Sequence, residues 1–232
     1  MKAIILAAGK ATRLLPLTRD TPQSLLKIDG KTILDEQLIT LNKCGINDIL
    51  VVTGYLADEI GEYLSKKKDV KKFFNPVYSV SGMLMSLWIT KEEMKGGFIL
   101  LYSDVLFEKS IIDNLLSNKS DICLAIKKGD VREEAEKVSE ENGLITKISK
   151  MELAEGNAEF IGMAKFTRNG ARLFIDEMNE IVKDRLDASF IGAIMGLIGK
   201  GHKIYSSDIG NAKWVDIDFE KDLKLAESIF SK

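Results

Sequence analysis

The chain has 232 residues, 45% of them apolar and 29% charged, with a formal net charge of −2. That is enough chain to bury the core of one α/β domain, and too nearly neutral for a general affinity for nucleic acid or acidic membranes. One histidine and two scattered cysteines argue against a zinc site, a Cys–His couple or a Ser–His–Asp triad, so any catalysis must rest on carboxylates, cations and a hard metal ion.

In chain order, Lys2-Ala-Ile-Ile-Leu6 opens a continuous apolar run, the pattern of a strand buried on both faces, which breaks at Ala7-Ala8-Gly9 into a loop without bulk. Small side chains at Leu6-Ala-Ala-Gly9 let a triphosphate or a base approach backbone N–H groups, and Lys10 and Arg13 supply positive charge. A tight turn at a sheet edge has the same local pattern. Lys27–Lys31 reads as a turn, Thr32 as the cap of a helix ended by Gly45, Asp48–Thr53 as a second buried strand and Ala57–Lys67 as a second helix. A strand over Lys72–Asn75 stops at Pro76. Strand, helix, strand, helix at this spacing implies right-handed crossovers and a parallel sheet covered on both faces.

Met83, Leu84, Leu87 and Trp88 have the spacing of a helix core. Ser79, Ser81 and Gly82 precede them in a loop after a strand, where open parallel sheets place ligands. Gly97–Tyr102 is the next strand, with Asp104 near its end. Asp104 either caps the helix beginning near Ser110, for which it comes early, or binds a metal ion. Asp121–Lys127 is a strand, and Val131–Lys150, turning at Asn142-Gly143, a hairpin expected to cover one end of the sheet. Ala158–Phe166 is a strand interrupted by Gly162, which marks a bulge or close approach by a ligand. Helices follow over residues 170–182 and 188–198, with His202 in a surface turn. Asp216 and Asp218 alternate with Val215 and Ile217 on an extended segment, so both carboxylates share a face and need a cation near them, unless Asp218 caps the terminal helix. Cys44 and Cys123 read as small core residues, which suits a reducing, cytoplasmic setting. No apolar run reaches the ~20 residues of a membrane span, and the N-terminus lacks a signal-peptide pattern.

The string Leu6-Ala-Ala-Gly-x-x-Thr-Arg13-Leu, with Pro16, Thr18 and Pro22-x-x-Leu-Leu26, resembles the signature of the nucleotidyltransferases that activate sugar 1-phosphates and phospho-alcohols with an NTP. Asn75-Pro-x-Tyr78 followed by Ser86-Leu is similar to the cytidylyltransferase branch acting on phosphocholine and related phospho-alcohols. The resemblance spans nearly the whole chain and implies a single domain over residues 1–232. That domain would be a Rossmann-like, mainly parallel mixed sheet with helices on both faces and a small β-hairpin cover, of the nucleotide-diphospho-sugar transferase type.

What the resemblance implies for the site is specific. Leu6, Ala7, Ala8, Gly9, Ser81, Gly82, Ser86 and Ser103 would bind the nucleotide, Arg13 would neutralise its β- and γ-phosphates, and Lys10 or Lys27 would compensate for the family lysine that Gln23 replaces. Asp104 and Asp218, with Asp216 second to it, would hold Mg2+, while Glu159 and Gly162 would contact the acceptor. The implied reaction joins an NTP, CTP by resemblance, to a phosphorylated small molecule with release of pyrophosphate, with neither nucleic acid nor membrane as partner. A sugar-1-phosphate uridylyl- or thymidylyltransferase is the neighbouring alternative. Two departures bear on activity: Ala11 stands where the family has its second glycine, and Gln23 where it has a phosphate-contacting lysine. The latter keeps open a non-catalytic relative that binds nucleotide or a partner subunit. Acceptor identity and homo-oligomerisation are not fixed by the sequence.

Overall fold

A computed structural model describes residues 1–67, 69–150 and 156–231. In chain order the elements are β1 (Lys2–Ala7), β2 (Lys27–Ile28), β3 (Lys31–Thr32), α1 (Ile33–Lys43), β4 (Ile49–Thr53), α2 (Ala57–Ser65) and β5 (Val70–Phe74). Then come α3 (Met83–Trp88), α4 (Lys91–Met94), β6 (Phe98–Tyr102), β7 (Val105–Phe107), α5 (Lys109–Ser117), β8 (Ile122–Lys128), β9 (Glu136–Glu141) and β10 (Leu144–Ser149). The chain ends with β11 (Ala158–Phe166), α6 (Arg168–Ile181), α7 (Phe190–Gly199), β12 (Ile204–Asp208), β13 (Trp214–Asp216) and α8 (Glu220–Phe230).

The main sheet has the order β5-β4-β1-β6-β11-β8-β12-β10-β9. β5, β4, β1 and β6 are mutually parallel, and β11 runs antiparallel to both β6 and β8. Alternation along β1 separates two cores: Ile4 and Leu6 join Leu84, Leu87, Phe98 and the α6–α7 side, whereas Ala3, Ile5 and Ala7 face Leu34, Leu38, Ile60 and Ile112 on α1, α2 and α5. That two-sided burial is why β1 reads as an unbroken apolar run. Thr32 caps α1 as expected, its hydroxyl accepting from the Asp35 N–H at 3.0 Å, and Gly45 ends the helix at φ +76°. Trp88 is half-buried, its indole N–H donating to Asn179 Oδ1 at 2.9 Å.

The hairpin β9–β10 turns at Asn142-Gly143, both at positive φ, as its sequence predicts. It is not a separate cover. β10 pairs with β12 and β9 returns to pair with the first residues of β11, so β11, β8, β12, β10 and β9 close into a ring. One edge of β11 therefore meets β9 over Ala158–Phe160 and β6 over Met163–Phe166. Gly162 sits at this change of partner, where the β8 register also slips. Cys123 is buried as expected, but Cys44, at the end of α1, is only half-buried.

A third, smaller core joins Leu14, Ile28, Ile33, Leu106, Val215, Ile217 and Ala226. It packs the loop after β1, the β2–β3 turn, β7, β13 and α8 together, which brings both ends of the chain to one place.

The contact of α6 with the start of β8 tests the packing. A Cβ on Gly170 would lie 2.1 Å from the Asp121 carbonyl oxygen. In an open helix Gly→Ala gains about 1 kcal/mol, but overpacking against backbone costs roughly 1–3 kcal/mol, and the second term should win. Gly170→Ala is therefore expected to lower the melting temperature; a rise would show that α6 moves away from β8 freely.

Candidate active site

The loop after β1 turns through Ala11, which adopts φ 45°, ψ 51°, the left-handed region where a glycine would be unstrained. A 3-10 turn, Thr12–Leu14, follows and anchors Leu14 in the third core, leaving Arg13 pointing out of it. The turn is held by the Thr18 hydroxyl, which donates to the Ala11 carbonyl at 2.9 Å. Leu6, Ala7, Ala8 and Gly9 line one side of a cavity of about 190 Å³. Ser81, Gly82 and Ser86 line it from the loop and helix after β5, and Gln23, Ser103 and Asp104 from two further segments. Leu6, Ala7, Ala8, Gly9, Ser81, Gly82, Ser86 and Ser103 are thus brought to one cavity, whereas Arg13 lines only the second one described below. Lys10 and Lys27 are exposed and line neither this cavity nor the second one described below.

Gly82 has no room for a side chain. A Cβ there would lie 2.3 Å from the Ala188 carbonyl oxygen, and its N–H donates to the Leu186 carbonyl at 2.8 Å. The loop before α3 is in this way pinned to the segment before α7.

Asp104, Asp216 and Asp218 converge, with one carboxylate oxygen of each within 4.8 Å of the others. Neither capping alternative holds. Glu108, not Asp104, precedes α5, and α8 is capped by Asp222, whose carboxylate accepts from the N–H groups of Phe219 at 2.7 Å and Asp218 at 3.1 Å. The convergence is built by backbone: Asp216 pairs with Val105 between β13 and β7, and the Ile217 N–H donates to the Asp104 carbonyl at 3.0 Å. Val215 and Ile217 point into the third core, which turns Asp216 and Asp218 the other way. Gln23 does something its sequence position does not announce. Its amide donates to the Ile217 carbonyl, between the two aspartates.

Arg13 pairs with Asp218 and lies over the Phe219 ring at 5.5 Å, and Arg132 pairs with Asp216 at 3.3 Å. Asp104 Oδ1 is buried and has no hydrogen-bond partner among the described residues. Burial first, then the Asp216 and Asp218 charges, push the Asp104 carboxyl well above the usual carboxylate range; burial and Asp218 raise Asp216 to about 6. Three oxygen-only donors around an unpartnered buried oxygen fit a hard divalent cation.

A second cavity, of about 130 Å³, opens where β11 changes partners. Gly162 lines it at φ +75°, where an added Cβ would lie 3.0 Å from Tyr102, with Arg13, Arg132, Glu136 and Lys150. Asp104, Met83 and Tyr102 line both cavities, and Asp216 and Asp218 the second, so the carboxylates sit at the junction. Glu159 is not among the lining residues. It is buried behind them, accepting from Arg132 Nε at 3.0 Å, while the guanidinium lies 4.9 Å from the Trp214 ring centre. Glu136, raised to about 7 mainly by burial, accepts from the Tyr102 hydroxyl at 3.4 Å.

Arg132, Glu136, Lys150 and Tyr102 were not singled out from the sequence. Arg132, Glu136 and Lys150 stand in charge-rich stretches that look like solvated surface; the closing of the hairpin onto β11 leaves Arg132 and Glu136 half-buried and Lys150 exposed at the cavity's rim.

The carboxylate cluster has a stability signature. A carboxyl whose folded pKa lies above its unfolded value destabilises the fold above the folded pKa, and that penalty is relieved as pH falls towards the unfolded value. In divalent-free buffer Asp104→Asn is expected to melt higher than the unsubstituted protein above neutrality. The gap should shrink as pH falls through the raised range of the Asp104 carboxyl towards its ordinary value of 3.8. A lower melting temperature for Asp104→Asn throughout would mean that the three charges do not oppose one another.

The chain is 30% identical over 97% of its length to the CTP:phosphoglutamine cytidylyltransferase of Campylobacter jejuni, covering 98% of that protein. It is 37% identical over half of its length, and half of the other's, to a choline-phosphate cytidylyltransferase of Streptococcus pneumoniae. The solved inositol-1-phosphate CTP transferase of T. maritima superposes with a TM-score of 0.84 at 23% identity, over 99% of this chain and 96% of that one, which shows a shared fold. With the family described as Nucleotidyl transferase matching residues 2–217, the chain belongs to the nucleotidyltransferases.

Proposed function

We propose that this chain, as one domain over residues 1–232, transfers the nucleotidyl group of CTP to a small phosphorylated alcohol and releases pyrophosphate. The observation that carries this reading is the placing of three carboxylates at the junction of two cavities. One cavity takes the nucleotide and the other the acceptor, and they meet where the α-phosphorus must sit. The relatives' names supply CTP and the phosphorylated class of acceptor.

A phosphate monoester, with a second pKa near 6, is largely dianionic at neutral pH and attacks without a general base, which suits a site with no histidine. The work left to the protein is alignment of two mutually repelling anions and stabilisation of charge. In this reading the Leu6–Gly9 backbone, Ser81, Gly82, Ser86 and Ser103 hold the nucleotide. Arg13 faces its phosphates from the second cavity. Arg132, fixed by Glu159 and stacked on Trp214, meets the acceptor phosphate, and Gly162 leaves room beside Tyr102. Asp104, Asp218 and Asp216 would hold Mg2+, which when bound neutralises phosphate charge and orders the polyphosphate. Gln23 braces the Asp216–Asp218 segment in place of bringing a positive charge.

Gln23 favours one second reading, nucleotide binding without turnover, because a glutamine cannot neutralise a phosphate. Pyrophosphate release separates the two. With Mg2+, the four NTPs and a panel of phosphocholine, phosphoethanolamine, inositol phosphate and sugar 1-phosphates, one CTP–acceptor pair is expected to react, and Asp104→Ala to abolish the reaction. Stabilisation by CTP without release from any pair would select the binding reading; neither would remove the site. Partners that orient metal ligands are worth 10–100-fold in affinity, so Gln23→Ala is expected to weaken Mn2+ binding, followed by titration calorimetry, by about tenfold. Unchanged affinity would show that Gln23 does not brace the carboxylates.

A further inference from the structure

Asn75, at the end of β5, is fully buried and is not among the residues lining the first cavity, yet it touches that cavity's wall. Its amide orientation is fixed by the backbone. The Val77 N–H donates to Asn75 Oδ1 at 3.0 Å, so the other end of the amide must be the NH2 group. That group donates to Ser86 Oγ at 2.9 Å and reaches Ser81 Oγ at 3.5 Å. The residue itself is held by its own N–H, which donates to the Thr53 carbonyl at 2.8 Å, and by the Tyr78 N–H on its carbonyl at 3.4 Å.

The consequence is one of polarity. A serine hydroxyl has one proton to give, and an NH2 group facing its oxygen takes a lone pair and leaves that proton free. Among the described residues no group accepts from the Ser86 or Ser81 hydroxyl, and both side chains line the cavity. Ser86 is 4% exposed, so its proton is aimed either into the cavity or nowhere. With the phosphates at the Asp104 end, the base meets the wall carrying these two serines. Cytosine presents acceptors there, at O2 and N3, whereas uracil and thymine present an N–H at N3, donor against donor.

We infer that Asn75 is the positioning residue that sets the base selectivity of the site: by donating to Ser81 and Ser86 it makes that wall a hydrogen-bond donor and selects CTP over UTP. This rests on the nucleotide-binding reading of the first cavity. Neither Asn75 nor the direction of its hydrogen bonds is visible from the residue types that line the cavity.

The test reads a ratio, and needs no acceptor. Dissociation constants for CTP and UTP with Mg2+ are measured by titration calorimetry on the unsubstituted protein, Asn75→Asp, Ser86→Ala and the double variant. A carboxylate at position 75 still accepts from the Val77 N–H but must also accept from the serines, which reverses the polarity of the wall. An added negative charge weakens both nucleotides together and cancels in the ratio. One hydrogen bond gained or lost is worth about tenfold. Asn75→Asp is therefore expected to shift the CTP/UTP preference towards UTP by about tenfold or more, Ser86→Ala to weaken CTP more than UTP, and the effect of Asn75→Asp on the ratio to shrink once Ser86 is alanine and only the longer 3.5 Å contact to Ser81 is left to respond. An unchanged ratio in folded Asn75→Asp overturns the inference, as does Ser86→Ala weakening both nucleotides equally should Asn75→Asp fail to fold. If the unsubstituted protein binds neither CTP nor UTP, the nucleotide site itself is overturned, a failure distinct from binding both without preference.

Discussion

Three carboxylates with oxygens inside 4.8 Å of one another are an electrostatic liability that the surrounding structure has to hold in place. Left to themselves they would separate. Holding them takes the β7–β13 pairing, the Ile217 N–H on the Asp104 carbonyl, and a small apolar core that fixes the opposite faces of Val215 and Ile217. The same core takes Leu14 from the loop after β1 and Ala226 from the terminal helix, so the N-terminal signature loop and the C-terminal segment cannot be displaced independently. Arg13 on Asp218 and Arg132 on Asp216 offset part of the repulsion and remain within reach of the second cavity.

The second constraint is the closing of the sheet. A parallel sheet leaves its ligand crevice at the carboxyl ends of its strands, and here β1 and β6 end at Ala7 and Tyr102, beside the first cavity. The antiparallel β11 ends the parallel run. Because β11 pairs first with β9 and then with β6, a gap opens at Gly162, and Tyr102 fills one side of it. The second cavity is that gap. A side chain at residue 162 would meet Tyr102, and a regular strand there would seal the opening. The hairpin supplies the charged residues that line it and so belongs to the site as well as to the sheet.

Gln23 and Ala11, the two departures from the family signature, acquire different meanings in three dimensions. Ala11 keeps the left-handed turn that a glycine would adopt, with modest backbone strain and an intact loop. Gln23 loses a positive charge but gains a directed hydrogen bond to the segment bearing two of the three aspartates. Arg132, which no signature names, carries positive charge at the junction instead.

The sequence by itself determined the strand–helix alternation, because β1 and β4 are buried on both faces and so are apolar from Ala3 to Ala7 and from Ile49 to Val52, and because Thr32, Gly45 and Asn142-Gly143 are local chemistry that needs no partner. It also determined the small-residue loop and the shared face of Asp216 and Asp218, since period-two alternation with Val215 and Ile217 is a property of the chain alone. Tertiary structure decided which of these features meet. Asp104 is more than a hundred residues from Asp216, and only the β7–β13 pairing makes them one cluster. Glu159, legible as a polar residue in an apolar strand, turned out to stand behind Arg132, because contact across a ring of strands depends on pairing that no local pattern encodes. Arg132 and Glu136 were hidden for the same reason. A charge in a polar stretch looks solvated until a distant strand closes over it.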